Sequence, residues 1–171
     1  MPTSFTRVSS PDGELVLAAS GAALTGVYFP TSRHEPPPTE RAGWVADDGR
    51  APEGEVLART REQLAEYFAR TRTTFDLPLD APGTAFQRRV WEALRTIPYG
   101  TTLSYSELAR RLGDLRATRA VGAANGRNPI PIIVPCHRVV GANGALTGFG
   151  GGLDRKRWLL EHEGALMMLG A

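Results

Sequence analysis

Three short apolar-rich segments open the chain, SFTRVSS, GELVLAAS and ALTGVYF. They are rich in Val, Leu and Phe and are separated by Pro11-Asp12-Gly13 and Ser20-Gly21, the punctuation of successive strands. A small antiparallel sheet is the economical reading. Residues 30–54 carry Pro30, Pro36, Pro37, Pro38 and Pro52 with little periodicity, which predicts a long loop. From Glu55 to Arg70 the period becomes helical, with Leu57, Leu64 and Phe68 on one face. Pro78, Pro82 and Gly83 mark residues 71–83 as a linker. The expected division is an N-terminal α/β domain over residues 1–80 and a second domain over 81–171.

The second half patterns as helices. Thr84 with Gln87 three residues later begins one as a capping box. Phe86, Val90 and Leu94 give its apolar stripe, and Pro98-Tyr99-Gly100 follows its end. Ser104 with Glu107 is a second capping box, opening a helix through about Leu112. Gly113-Asp114 makes a turn, and a short helix over Thr118 to Asn125 comes next. Two short helices about a glycine-containing turn form a helix-turn-helix pattern. The second helix, RAVGAANG, is nearly all small residues around Arg119. A major-groove reader usually presents several long polar side chains. Small residues let the backbone approach something narrow, such as a minor groove, or pack tightly against a neighbouring helix.

Composition narrows the class. The chain has 171 residues with 42% hydrophobic and 22% charged, enough apolar content for a packed core. No apolar run nears the ~20 residues that span a bilayer, and the N-terminus lacks the basic-then-apolar pattern of a secretory signal. A cytoplasmic protein with no membrane partner is expected. The lone cysteine, Cys136, excludes an internal disulfide and any multi-cysteine metal site, and it fits a reducing compartment. The net charge of +2 hides an asymmetry: residues 1–82 hold 8 Arg and 12 acids, whereas residues 83–171 hold 11 Arg, 1 Lys and 6 acids. A basic half of this kind suits a polyanion.

The thiol lies in NPIPIIVPCHRVV, between Pro135 and His137. A free cysteine is most often a small buried hydrophobe. An adjacent imidazole can activate it, provided the backbone is not a regular strand that sends neighbours to opposite faces; Pro135 favours an irregular turn. Activation by His137 predicts a thiol more acidic than the ~8.5 of free cysteine. Such a base needs an orienting acid. Glu161 and Glu163 are the candidates by spacing, Glu163 ending a helix capped by Asp154, with Gly164 at C′.

The run Pro135-Cys136-His137-Arg138-Val139 resembles the core motif of the methylated-DNA–protein-cysteine methyltransferases, the O6-alkylguanine DNA repair family. The resemblance extends through PYGTTLSYSELARRLG, RAVGAANGRNPIP, the GFGGG loop and the WLLEHEG ending. It is strong over about residues 80–165 and general over the first 80. It implies an α+β protein of two subdomains. A ribonuclease H-like sheet and helix would be followed by a mainly helical, winged-helix-like domain holding the active cysteine. The implied activity is single-turnover transfer of the alkyl group of O6-alkylguanine, chiefly O6-methylguanine and also O4-methylthymine, from duplex DNA to Cys136. His137 would deprotonate the thiol through a water, Glu163 would orient His137, and Asn128 would steady the cysteine loop. Tyr105 would help rotate a phosphate and protonate the leaving guanine. Arg119 would fill the space of the flipped base, with Ala120, Gly122, Ala123, Asn125 and Gly126 along the DNA. Val139 and the loop Phe149, Gly150, Gly151 to Gly152 would line the base pocket.

The family's N-terminal zinc site is not expected, because the first half has no Cys and only His34. No cofactor, no metal and no obligate protein partner are implied, and the protein would be a monomer, associated with the nucleoid and open to cooperative binding on DNA. Two readings compete: a helix-turn-helix binding protein with a structural thiol, and a cysteine hydrolase using Cys136, His137 and Glu163. A hydrolase needs an oxyanion hole and turns over repeatedly.

Overall fold

A computed structural model of the chain describes residues 2–29, 41 and 43–168. They form two compact units, Met1–Pro82 and Gly83–Ala171.

In the first unit, β1 (Ser4–Ser10), β2 (Gly13–Ser20) and β3 (Ala23–Tyr28) form an antiparallel meander. The β1–β2 turn closes on Gly13, whose φ of +106° lies where only glycine is comfortable. A fourth strand, β4 (Val45–Ala46), pairs parallel to β1, so the sheet order is β3-β2-β1-β4 and the sheet is mixed. The proline-rich stretch expected to be all loop thus contributes an edge strand of two residues, too short for periodicity to reveal. Residues 30–40 and 42 of that stretch lie outside the described residues.

Helix α1 (Pro52–Phe68) begins three residues before the expected Glu55, because Pro52 sits in its first turn, where no backbone donor is required. It buries Val56, Leu57, Leu64 and Tyr67 against the sheet, whose Leu15, Leu17, Leu24 and Val27 are likewise buried. Tyr67, rather than the expected Phe68, takes the core position; Phe68 packs edge-on to it at 5.3 Å between ring centroids. The expected linker is partly bound into this unit: Leu24 N–H donates to Pro78 O and Asp80 N–H to Leu24 O, each at 2.9 Å.

The second unit runs α2 (Ala85–Leu94), β5 (Leu103–Ser104), α3 (Tyr105–Arg111), a 3-10 turn (Leu115–Ala117) and α4 (Thr118–Gly126). A second 3-10 turn (Cys136–Arg138), β6 (Val139–Val140), α5 (Leu153–His162) and α6 (Ala165–Met168) follow. The capping box at Thr84 and Gln87 is complete. At Ser104 only half forms: Glu107 N–H donates to Ser104 Oγ at 3.1 Å, while the Glu107 carboxylate turns to Arg110. Helix α2 buries Val90, Trp91 and Leu94, and the Trp91 indole donates to Ala124 O at 2.8 Å, fastening α2 to α4. Asp154 does not cap α5. Gly152, with φ +97°, holds the N-cap, and Asp154 sits within the first turn, where its charge still favours the helix dipole. Glu163 is the C-cap and Gly164 follows at φ +79°. No helix among the described residues is long and apolar enough to cross a membrane.

Candidate active site

The site is built where two short strands meet. β5 and β6 pair in parallel, Leu103 with Val139 and Ser104 with Val140. α3 starts at Tyr105, directly after β5, and the Cys136–Arg138 turn ends directly before β6. This register brings Tyr105 to the thiol turn across 31 residues of chain. The segment leading in, Ile130 to Val134, is buried and tightly turned, and Ile132 adopts φ +72°, a costly conformation for a β-branched residue. Such strain is held only when the surroundings over-determine it. Here Asn128 does so: its amide donates to Val134 O at 2.8 Å and accepts from Ile130 N–H at 3.0 Å.

Cys136 is 5% exposed and opens the 3-10 turn, so His137 is not thrown to an opposite face as in a strand. His137 is fully buried and its Nε2 meets Glu163 Oε2 at 2.8 Å. The same carboxylate receives Arg138 through Nε at 2.8 Å and Nη2 at 3.1 Å, and Arg138 Nη1 donates to Ile97 O at 2.7 Å. Burial alone would raise the Glu163 carboxyl, but His137 and Arg138 outweigh it and hold it well below the usual range. Glu163 is therefore an anion, and an anion on Nε2 places the imidazole proton there. Burial, opposed by Glu163, lowers the pKa of His137, so the ring is neutral. Its Nδ1 carries the lone pair and is buried with no hydrogen-bond partner among the described residues. Between the two acids left open by spacing, the structure brings Glu163 to His137.

The thiol itself departs from expectation. Burial pushes Cys136 up to about 11, against the pull of the Asn128 amide and the Lys156 charge. At rest the sulfur keeps its proton; desolvation beats activation until a base removes that proton.

Tyr105 is half-buried and donates to Thr147 O at 2.8 Å. Burial raises its phenol above the ordinary value. Lys156 shares the same carbonyl. Its side chain is wholly buried, and Nζ donates to Val139 O and Thr147 O, each at 2.5 Å, and to Tyr105 Oη at 3.4 Å. Burial pulls its ammonium down to about 8. Sequence reading missed Lys156 and the ion pair of Arg138; the one lysine among twenty basic residues was the available signal.

On α4, Arg119, Ala120 and Ala123 are exposed and Gly122 and Gly126 are part-exposed, a strip of one helix face. Arg127 extends it and was not anticipated. Asn125, expected among the DNA-facing residues, is 1% exposed and instead donates to Cys136 O at 3.3 Å. At the expected base pocket, Val139 and Phe149 are buried and Gly150 and Gly151 part-exposed. Gly148 has φ +62°, a conformation that favours glycine, and a Cβ there would crowd Tyr105 Oη at 3.1 Å. Among the described residues no three His, Cys, Asp or Glu side chains gather as a metal site.

Comparison with known proteins places this geometry. Residues 85–165 match the DNA binding domain of 6-O-methylguanine DNA methyltransferase, and residues 4–81 match its ribonuclease-like domain. The chain belongs to this family. It is 52% identical over 159 residues to the methylated-DNA–protein-cysteine methyltransferase of Mycobacterium tuberculosis H37Rv, covering 93% of this chain and 91% of that protein. The crystal structure of the Mycobacterium tuberculosis O6-methylguanine methyltransferase superposes with a TM-score of 0.83 at 48% identity, over 95% of this chain and 93% of the other. A structure of Mycobacterium tuberculosis OGT in complex with DNA gives 0.83 at 46% identity, over 98% and 99%. The two family domains correspond to the α+β architecture of a small sheet with a helix followed by a mainly helical unit.

Proposed function

We propose that this chain repairs duplex DNA by moving the alkyl group of O6-alkylguanine, chiefly O6-methylguanine and also O4-methylthymine, onto its own Cys136, once per molecule. The observation that carries the reading is the buried chain Glu163–His137, which leaves the neutral Nδ1 of His137 as a base one residue from the only thiol. Family membership, and a relative solved with DNA, support DNA as the partner.

The stacked base lies beyond the reach of a buried sulfur, so it must be flipped out, at a cost of a few kcal/mol. Exposed Arg119 and the small-residue face of α4 suit a narrow groove, with Arg119 occupying the vacated space. Phosphate contacts from the basic unit offset the remainder. His137 then takes the thiol proton through a water, the sulfur attacks the alkyl carbon, and the C–O6 bond breaks as Tyr105 supplies a proton to guanine. Asn128 keeps the cysteine turn in place. The product thioether is stable, so the transfer ends there. The protein acts as a monomer in the cytoplasm, at the nucleoid.

The test is to incubate the protein with duplex DNA containing O6-methylguanine and weigh it. A gain of one methyl at Cys136 is expected. Tight binding with no gain would favour a non-catalytic binder, and repeated turnover would favour a hydrolase.

A further inference from the structure

The loop Gly148–Gly152, which leads into α5, must keep its shape with few side chains to hold it. Phe149 is buried, but Gly150 and Gly151 have nothing to pack, and Gly152 sits at φ +97°. Glycine loses more conformational freedom on ordering than any other residue, so a run of three is costly to fix. The leading end is tied down at Thr147 O, which accepts from Tyr105 Oη at 2.8 Å. At the trailing end Gly152 N–H donates to Phe149 O at 3.0 Å, closing a turn, and Arg155 Nη1 donates to Gly151 O at 2.9 Å. Arg155 stands where a cation is out of place. It lies in the first turn of α5, at the positive end of the helix dipole, where an acid such as Asp154 is favoured. Its side chain is part-buried and turns back onto the loop. A charged donor on a neutral carbonyl is among the stronger single bonds available for such a task.

We propose that Arg155 is a positioning residue for the purine: its guanidinium clamps the trailing end of Gly148–Gly152, so that the pocket is already formed when a base arrives. This rests on the alkyl-transfer reading above, in which that loop lines the base pocket. The role lies in seating the base. The thiol turn is held by other bonds, those of Asn128 to Val134 O and Ile130 N–H and of Glu163 to His137 and Arg138.

The two roles leave different kinetic marks. Without the clamp the glycine run samples many shapes, and only the molecules whose pocket is formed bind the base. Apparent affinity falls by that fraction. A base once seated meets the same sulfur, the same imidazole and the same phenol. The half-saturating concentration therefore rises while the limiting rate holds.

Three electrophiles of Cys136 make different demands. Free O6-benzylguanine must seat a purine but carries no phosphate. Duplex DNA with O6-methylguanine must seat a purine and engage phosphates. Iodoacetamide needs neither. Arg155→Met keeps the apolar stem and loses the donor. With free O6-benzylguanine its half-saturating concentration should rise about tenfold, with the limiting rate and iodoacetamide capture both near wild type. Arg155→Lys keeps a charged donor at the same place, and its half-saturating concentration should fall between those of wild type and Arg155→Met, a partial rescue that a role for the stem alone would not give. A loss seen with duplex and absent with the free purine would make Arg155 a phosphate contact and overturn the proposal. So would equal slowing by iodoacetamide, which would place the effect at the thiol turn, and so would a lower limiting rate at unchanged half-saturation. If wild-type protein reacts with iodoacetamide but takes no alkyl group from either guanine, it is the alkyl-transfer reading that fails.

Discussion

The two units bury polar groups in different ways. In the first, Glu53, Thr60 and Gln63 are buried, and each bonds backbone: Glu53 accepts from Gly21 N–H, Thr60 donates to Val56 O, and Gln63 pairs with both backbone groups of Asp76. Glu53 and Gln63 thereby satisfy backbone groups that lie outside the sheet and helix ladders, while Thr60 turns its hydroxyl onto a carbonyl of its own helix. In the second, the buried groups include His137 and Arg138, which both bond the Glu163 carboxylate, and Lys156, which bonds backbone carbonyls and Tyr105. Ion pairs so deep contribute little net stability, so their retention points to chemistry. One unit spends its interior polarity on folding and the other on reactivity.

The comparison breaks most completely at Cys136. Cys136→Ser and Cys136→Ala should lose methyl transfer entirely while keeping DNA affinity, and the unmodified protein should accept at most one methyl. Mass spectrometry after exposure to methylated duplex measures both; methyl gain by either variant would overturn the assignment.

Glu163 is the next largest. Glu163→Gln leaves Arg138 a buried cation without its anion, which should cost about 3–5 kcal/mol. The carboxyl is held below its ordinary range when folded. Its contribution is therefore present in full above the ordinary glutamate range near about 4.3, and is lost as pH falls toward the folded value. Denaturant melts should show a wide gap between wild type and variant at neutral pH that narrows as the solution is acidified below that range. A gap constant with pH would mean that Glu163 acts by shape alone.

Arg119→Ala tests the surface of the same unit. Arg119 is exposed on α4, next to Ala120 and Ala123. If it holds the flipped state, losing a few kcal/mol there should slow transfer at saturating duplex about tenfold to a hundredfold. A free benzylated guanine needs no flipping, and its reaction with Cys136 should change little. Near-normal speed at saturating duplex would reduce Arg119 to a phosphate contact.

The legibility of the two units differs for a related reason. Strands, helices and the Thr84 capping box follow local patterns, so they could be read from the chain. β4 could not, because two residues carry no period and its partners on β1, Ser4 for Val45 and Phe5 for Ala46, are distant in sequence. At the site, Cys136 and His137 are adjacent in sequence, whereas choosing Glu163 over Glu161 from the residues alone was not possible. That choice depends on where the end of α5 falls relative to the 3-10 turn. Asn125 reads as a polar residue on a DNA-facing helix, yet the helix phase turns it inward to Cys136 O. Lys156 gave the weakest signal: in a run of Arg155, Lys156 and Arg157 nothing local marks the middle residue as fully buried.

The smallest effect should come from the first unit, at Gln63. Its side chain is 7% exposed and acts as a short stretch of ladder, donating to Asp76 O at 3.0 Å and accepting from Asp76 N–H at 2.9 Å. Gln63→Leu removes both bonds, but neither backbone group is stranded. Asp76 O keeps the Arg59 guanidinium at 2.7 Å, and Asp76 is an exposed residue whose N–H can turn to water. The loss is then that of ordinary hydrogen bonds rather than of a buried unsatisfied group, about 0.5–1.5 kcal/mol, partly offset by the apolar area Leu adds. Methyl transfer to Cys136 should keep its wild-type rate and pH profile at temperatures where the variant is folded. A loss above about 3 kcal/mol would place Gln63 with Glu163 among groups that cannot be unpaired. A changed pH profile would overturn the division of labour between the two interiors.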